Sequence, residues 1–309
     1  MELGFETIGN ATIIVYENGV PILSTDPWIE GKPYFGSWKH SYKIPKLQKR
    51  NIKNSKFIWI SHGHPDHLDL DTIENWDTNK FLISNHFGDR IFNDLIELGL
   101  QVTKLKDKNW INLTDNISIS TFADFNQDSI LMVKIKDVLI INLNDTNPRG
   151  WSKWVKKIAS NFKKVFLLKL TGFGDADMIN YFDENDNFIY PLAEQKIAVG
   201  KTISHLMNIY NANFFIPFSS HHKYQREDSV WANKYITRLD DYKKGFDKSK
   251  GTLLYPFITY DIVKDEITKI KTVETNNDIL HPSSFNDDWG MQLTKKDEKK
   301  LTNYFSQNE

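Results

Sequence analysis

One short run carries most of the chemistry in this chain: His62-Gly63-His64-Pro65-Asp66-His67. Three of the 9 histidines stand beside a carboxylate, directly after the apolar segment Phe57-Ile58-Trp59-Ile60. Imidazole and carboxylate are the ligands that a borderline divalent cation takes, at about 2.0–2.2 Å. A tight loop turns alternate side chains to one side. His62 and His64 can then share one ion while Asp66 and His67 face a neighbouring position. That geometry favours two divalent ions sharing a water whose pKa is lowered to about 7, a nucleophile at neutral pH. A chance cluster would bury titratable groups without partners, which is costly. The chain has no cysteine, so thiolate ligands, disulfides and cysteine nucleophiles are excluded.

The elements around this run must place it at a strand end. Residues 2–8 and 11–17 read as strands, Asn18-Gly19 as a hairpin turn and 20–25 as the return strand, closed by Asp26-Pro27. A loop rich in Trp, Tyr, Gly and Pro follows, from Trp28 to Pro45. Residues 57–60 form a short buried strand. A helix capped by Asp69 or Asp71 runs to Trp76, 80–84 is a strand, and 88–98 a helix stopped by Gly99. Strands are expected over 109–113, 117–122, 129–135 and 138–143. A helix at 151–161, a strand at 164–170, an irregular stretch at 171–190 and a long helix over 192–210 come next. Strand 213–216, a helix near 228–239, a late hairpin around Lys264-Asp265-Glu266 and a helix at 293–305 complete the chain. Two strand-rich blocks with helices between and after them predict two sheets flanked by helices.

With the elements in place, the His62–His67 run resembles the signature of the metallo-β-lactamase superfamily. Gly9-Asn10-Ala11-Thr12, Asn18-Gly19 and Thr25-Asp26-Pro27-Trp28 are similar to the opening of its lactonase and N-acyl-phosphatidylethanolamine phospholipase D branch. The resemblance covers most of residues 3–222 and is sharp at the motifs. It implies an α/β fold, an αββα sandwich of two mixed sheets with metals at one sheet edge. The single domain would span 1–309, with a helical and hairpin extension at about 225–309. It also implies further ligands: a histidine near 124, an aspartate bridging both metals and a late histidine. Asp145, after the strand ending at Leu143, fits the bridging aspartate, with Asn144 where the family has glycine. At the histidine position stands Asp124, in Ala123-Asp124-Phe125-Asn126. Near Pro217 stand Ser219 and then His221 and His222, either of which is a candidate for the late ligand. His86 is a candidate for the cleft wall or for a structural histidine.

Three functions compete. The first is hydrolysis of a phosphodiester, lactone or amide by a metal-activated water. His62, His64, Asp66, His67, Asp124, Asp145, His221 and His222 are its candidate ligands, and Asp66 and His222 its candidate catalytic groups. The second is oxygenation. Aspartate in place of histidine makes the site harder and shifts it from zinc towards iron or manganese. Asp124 and Leu143-Asn144-Asp145 are similar to the metallo-β-lactamase-like part of CMP-N-acetylneuraminate hydroxylases. Their Rieske cluster needs two cysteines; a chain with none would use a separate electron donor on an N-acyl nucleotide sugar. The third is a degenerate fold used as a binding module.

Composition narrows the partners. With 39 basic and 40 acidic residues the formal charge is −1, which gives no case for nucleic acid. Lys295, Lys296, Lys299 and Lys300 are interrupted by Asp297 and Glu298 and read as a solvated helix face. No signal peptide or integral membrane segment is expected, so the cytoplasm is the expected location and a small molecule the expected substrate. Gly172–Asp177 and the Trp28–Tyr42 loop are candidate cleft walls. Lys223 and Arg226 are candidates to neutralise a phosphate beside His222.

Overall fold

The structure is a computed structural model. It describes all residues except 77–78, 126, 148–149, 176–177, 179–181, 287–290 and 307–309. In chain order the first half holds β1 (Leu3–Ile8), β2 (Thr12–Glu17), β3 (Val20–Thr25), β4 (Trp38–His40), β5 (Tyr42–Lys43), α1 (Lys46–Lys53), β6 (Phe57–Ile60), α2 (Leu70–Ile73), β7 (Lys80–Ile83), α3 (Arg90–Glu97) and β8 (Gln101–Lys104). The second holds β9 (Ile111–Asn112), β10 (Ile117–Ala123), β11 (Ser129–Ile135), β12 (Val138–Asn142), α4 (Ser152–Ala159), β13 (Lys164–Lys169), α5 (Val199–Tyr210) and β14 (Phe214–Pro217). After these come β15 (His222–Tyr224), β16 (Thr252–Leu253), β17 (Ile258–Asp261), β18 (Glu266–Lys269), β19 (Val273–Glu274) and α6 (Lys295–Ser306).

Two mixed sheets result. The first runs β18-β17-β1-β2-β3-β6-β7-β8 and the second β16-β14-β13-β12-β11-β10-β9. Each is antiparallel on one side and parallel on the other: β3-β6-β7-β8 and β12-β13-β14-β16 are the parallel runs. Alternation along the strands explains the layering. In β12, Val138 and Ile140 enter the core between the sheets, whereas Leu139 and Ile141 face α4 and α5. In β6, Trp59 points into the same central core, and Ile58 and Ile60 face outward to Ile52, Ile73 and Leu95 of the first three helices. Both sheets are therefore covered on both faces, as parallel strands require, and the layers are α, β, β, α.

Most of the expected elements are present, with three differences. The helix expected over 192–210 starts at Val199 and is preceded by a separate 3-10 turn at Leu192–Gln195. Lys196 takes a left-handed φ of 50° between the two. Where a helix was expected near 228–239 there is one 3-10 turn, Val230–Lys234. There the Asn233 side chain bonds the backbone N–H and carbonyl of Tyr224, tying the turn to β15. Helix α1 and the strands β4, β5, β8, β15, β16 and β19 were not expected at all; Pro45 opens α1, where its missing N–H is tolerated.

The late strands close the architecture. β17 pairs with β1 and β16 with β14, so the segment after 225 joins both sheets. Among the described residues no helix is long and apolar enough to cross a membrane.

Candidate metal centre

Chain segments leaving the C-terminal ends of β3, β6, β12 and β14 meet at one edge of the sandwich, the place where open parallel sheets put their ligands. His62, His64, Asp66 and His67 follow β6. Asp145 follows β12, and Ser219 follows β14.

His62 Nε2 and His64 Nδ1 lie 2.7 Å apart. Asp145 Oδ2 is 3.6 Å from His62 Nε2 and 3.9 Å from His64 Nδ1. These three ligand atoms all lie within 4.8 Å of one another. Two nitrogens on a tetrahedral ion at about 2.1 Å stand roughly 3.4 Å apart, so the donor set fits a metal after a small opening of the two rings. The same Asp145 oxygen is 3.7 Å from His67 Nε2, and Asp66 Oδ2 is 3.5 Å from that nitrogen. Asp66 and His67 thus form a second, more deeply buried set that meets the first at Asp145.

Buried partners orient these ligands. Asp26, fully buried, accepts from Ser61 N–H at 2.7 Å and from Asn144 Nδ2 at 3.0 Å. It also accepts from His67 Nδ1 at 3.1 Å, leaving Nε2 to face the cluster. Ser61 Oγ lies 2.8 Å from His62 Nδ1, so that ring too presents Nε2. Asp66 is held by Tyr34 Oη and Asn10 Nδ2, both at 2.8 Å. Ser219 Oγ donates to Asp145 Oδ1 at 2.7 Å and lies 2.9 Å from His67 Nε2.

The charges follow from this packing. Burial works to lower the pKa of His67, but the carboxylates of Asp66, Asp145 and Asp26 outweigh it and push it up to about 10. Asp145 is half-buried, and its withdrawal from water would raise it, yet His67, His64 and His62 hold it well below the usual carboxylate range. Burial and the neighbouring His67 hold His62 neutral. Burial, then Asp145 and Asp124, raise Asp128 to about 6. Lys169, at the end of β13, is buried with its ammonium on the Thr146 carbonyl; burial lowers it to about 8 against the pull of Asp145 and Asp128.

The structure does not bring all the expected residues together. At the third position, the hairpin between β10 and β11 sets Asp124 and Asp128 side by side, with Asp124 N–H donating to the Asp128 carbonyl at 2.8 Å. It is Asp128 Oδ1 that lies 3.9 Å from His62 Nε2. The sequence named Asp124 alone; two aspartates flanking one short hairpin were the available signal, and Asn126 between them lies outside the described residues. His221 is turned away, with Nε2 3.2 Å from the Pro217 carbonyl. His222 lies flat on Trp38, ring centroids 3.5 Å apart, and burial lowers it to about 3. Ser219 takes the place at the cluster that either histidine was expected to fill. Its φ of 65° is the turn that puts its hydroxyl there and carries the next residues away. His86 is buried at the end of β7, near enough to Asp124 and His62 to feel and exert their fields. Asp26 and Asn10 were legible as motif residues but not as ligand supports.

Of the expected cleft walls, the Trp28–Tyr42 loop delivers Tyr34 to Asp66. In Gly172–Asp177, Ala176 and Asp177 lie outside the described residues; Asp175 accepts from Ser220 Oγ at 2.6 Å. Arg226 is committed to Asp228 and to the Phe35 carbonyl, and Lys223 to residues 274–277, so neither stands beside the cluster.

No family model matches the chain. Among solved structures it is similar to a metallo hydrolase from the archaeon Ignicoccus hospitalis, with a TM-score of 0.52 and 16% identity over 87% of this chain and 99% of that one. The chain has the metallo-β-lactamase fold. Curated relatives match a part of this metallo-β-lactamase-fold chain. A cytidine monophosphate-N-acetylneuraminic acid hydroxylase of Asterias rubens is 27% identical over 139 residues, 42% of this chain and 21% of that protein. Its counterpart in Danio rerio is 25% identical over 135 residues, 40% and 23% of the two lengths. The matches therefore span under a quarter of each of these relatives.

Proposed function

We propose that this chain is a metal-dependent hydrolase that acts on a small phosphodiester, lactone or amide. One observation carries the reading: a single oxygen of Asp145 lies 3.6–3.9 Å from ring nitrogens of His62, His64 and His67, so one carboxylate addresses both halves of the cluster. His62, His64 and Asp145 would hold one divalent ion, and Asp66, His67 and Asp145 a second, with Asp128 beside the first. Two such ions supply Lewis acidity and a water acidic enough to attack near neutral pH. The chain's own residues do the positioning. Asp26 fixes the tautomer and plane of His67, and Tyr34 and Asn10 fix both oxygens of Asp66, which would take a proton from the attacking water. Lys169 keeps a positive charge beside Asp145 and Asp128. Metal analysis of the purified chain and of His64→Ala, paired with assays on phosphodiester and lactone substrates, tests this. About two zinc or manganese ions lost with activity in the variant are expected; full activity in a variant without metal would overturn it.

A second reading is oxygenation of an N-acyl nucleotide sugar by a di-iron centre with an external electron donor. Asp128, a carboxylate where the family has an imidazole, favours it, as does the partial match to hydroxylases. Iron in anaerobically purified protein, together with oxygen consumption when a reductant is supplied, would select this reading over hydrolysis.

A further inference from the structure

Behind the strand end that carries Ser219 lies a cavity of about 1020 Å³. None of His62, His64, Asp66, His67, Asp128 and Asp145 lines it. Its wall towards the cluster is thin: Pro217, Ser220, His221 and His222 line it, and Ser219 between them faces His67 and Asp145.

The lining is rich in basic side chains. The whole chain carries a formal charge of −1, yet the cavity gathers Lys39, Lys223, Arg238, Lys243 and Lys269 against the carboxylates of Asp240 and Glu274. Lys243 is paired to Asp240 at 2.8 Å, and Lys223 to Glu274 at 3.5 Å. Arg238 and Lys269 enter no ion pair among the described residues. Lys39 and Lys223 are also held by the amides of Asn276 and Asn277, at 3.0 and 3.1 Å, and the nearby carboxylates of Asp278 and Asp241 offset part of the charge of Lys39 and Arg238. Clustered positive charge of this kind repels itself and is relieved by an anion.

The rest of the lining is aromatic and polar. Tyr42 and Tyr255 are half-buried there, with the Lys269 ammonium 5.3 Å from the Tyr255 ring centroid. His222 is fully buried, and neither of its ring nitrogens has a hydrogen bond of ordinary geometry. A half-open pocket lined by polar groups and aromatic rings is a form that small-molecule sites take, and arginine and lysine are the side chains that recognise phosphate.

We propose that this cavity is a second binding site, for a small organic phosphate with an aromatic portion, separate from the metal cluster. The phosphate is bound by Arg238 and Lys269, and the aromatic portion lies along Tyr42 and Tyr255. The proposal does not rest on the hydrolase reading.

Calorimetric titration of the full chain with AMP, adenosine and inorganic phosphate tests it, using the purified protein, the variant R238E/K269E and His64→Ala. Arg238 and Lys269 are exposed, so their reversal leaves the fold in place, which an unchanged thermal unfolding midpoint checks. Saturable binding of AMP is expected, at least about tenfold tighter than adenosine or inorganic phosphate. It weakens about tenfold or more in R238E/K269E and is retained in His64→Ala. Absence of AMP binding overturns the site. So does equal binding by R238E/K269E, or loss in His64→Ala, which would put the phosphate on the metal cluster. Equal affinity for AMP and inorganic phosphate removes the aromatic half of the proposal.

Discussion

Asp26 Oδ2 lies 3.1 Å from His67 Nδ1, and both side chains are fully removed from solvent. The carboxylate comes from the end of β3 and the imidazole from the loop after β6, so the parallel pairing of those strands sets the orientation of a candidate ligand. Replacing Asp26 with Asn keeps the shape and removes the charge that favours the Nδ1–H tautomer. Metal affinity should fall about 10–100-fold. Competition with a chelating indicator measures it, and an unchanged dissociation constant would show that His67 needs no such partner.

Asp128 and Asp124 separate by experiment. The former lies 3.9 Å from His62 Nε2, whereas the latter offers Oδ1 to the Asp128 backbone N–H at 3.3 Å. Asp128→Asn should reduce metal occupancy or turnover at least about tenfold, and Asp124→Asn much less. The reverse order would return the ligand role to Asp124.

Metal uptake should release protons. His67 keeps its proton up to about pH 10 in the metal-free chain, because the surrounding carboxylates outweigh its burial. A cation must displace that proton, so apparent affinity rises as pH rises towards 10, by up to about tenfold per unit for one proton. The sign for stability is opposite. A histidine whose folded pKa is raised stabilises the metal-free chain fully below its unfolded value of about 6.5 and loses this as pH rises through about 10. Thermal unfolding of chelated and metal-loaded protein at pH 6.5, 8 and 9.5 should show the chelated form alone weakening along this series. Parallel curves would exclude His67 as the proton carrier.

His222→Ala should leave metal content and turnover intact while lowering stability by about 1–3 kcal/mol, since it empties a buried ring contact with Trp38. Loss of metal in a variant that still folds would bring His222 back as a ligand.

Legibility followed the range of the interactions. His62–His67 and the strand before it were readable because ligand types, spacing and an apolar run all lie within eleven residues, 57–67. The layers were readable from alternation, as in Val138–Asn142. Asp128 escaped because the choice between it and Asp124 is made by the hairpin register, Ala123 opposite Ser129. Ser219 in place of His221 or His222 was decided by one left-handed φ, and Asp26 as the partner of His67 by a contact 41 residues apart. The split of the 192–210 helix is made at Lys196, whose left-handed φ ends the first turn, and the Gly200 N–H bonds the distant Lys244 carbonyl instead of extending the ladder backwards.

The four residues of the first motif hang from one sheet, whereas Asp145, Asp128 and Ser219 hang from the other. A cation shared between them would act as a crosslink across the sandwich, adding to the side-chain packing and to hydrogen bonds such as Asn144 to Asp26 that already join the two layers at that edge. Its binding free energy would then count towards folding of the whole domain. Parting of the sheets at that edge would split the shared ligand set, so a bound ion would oppose that motion.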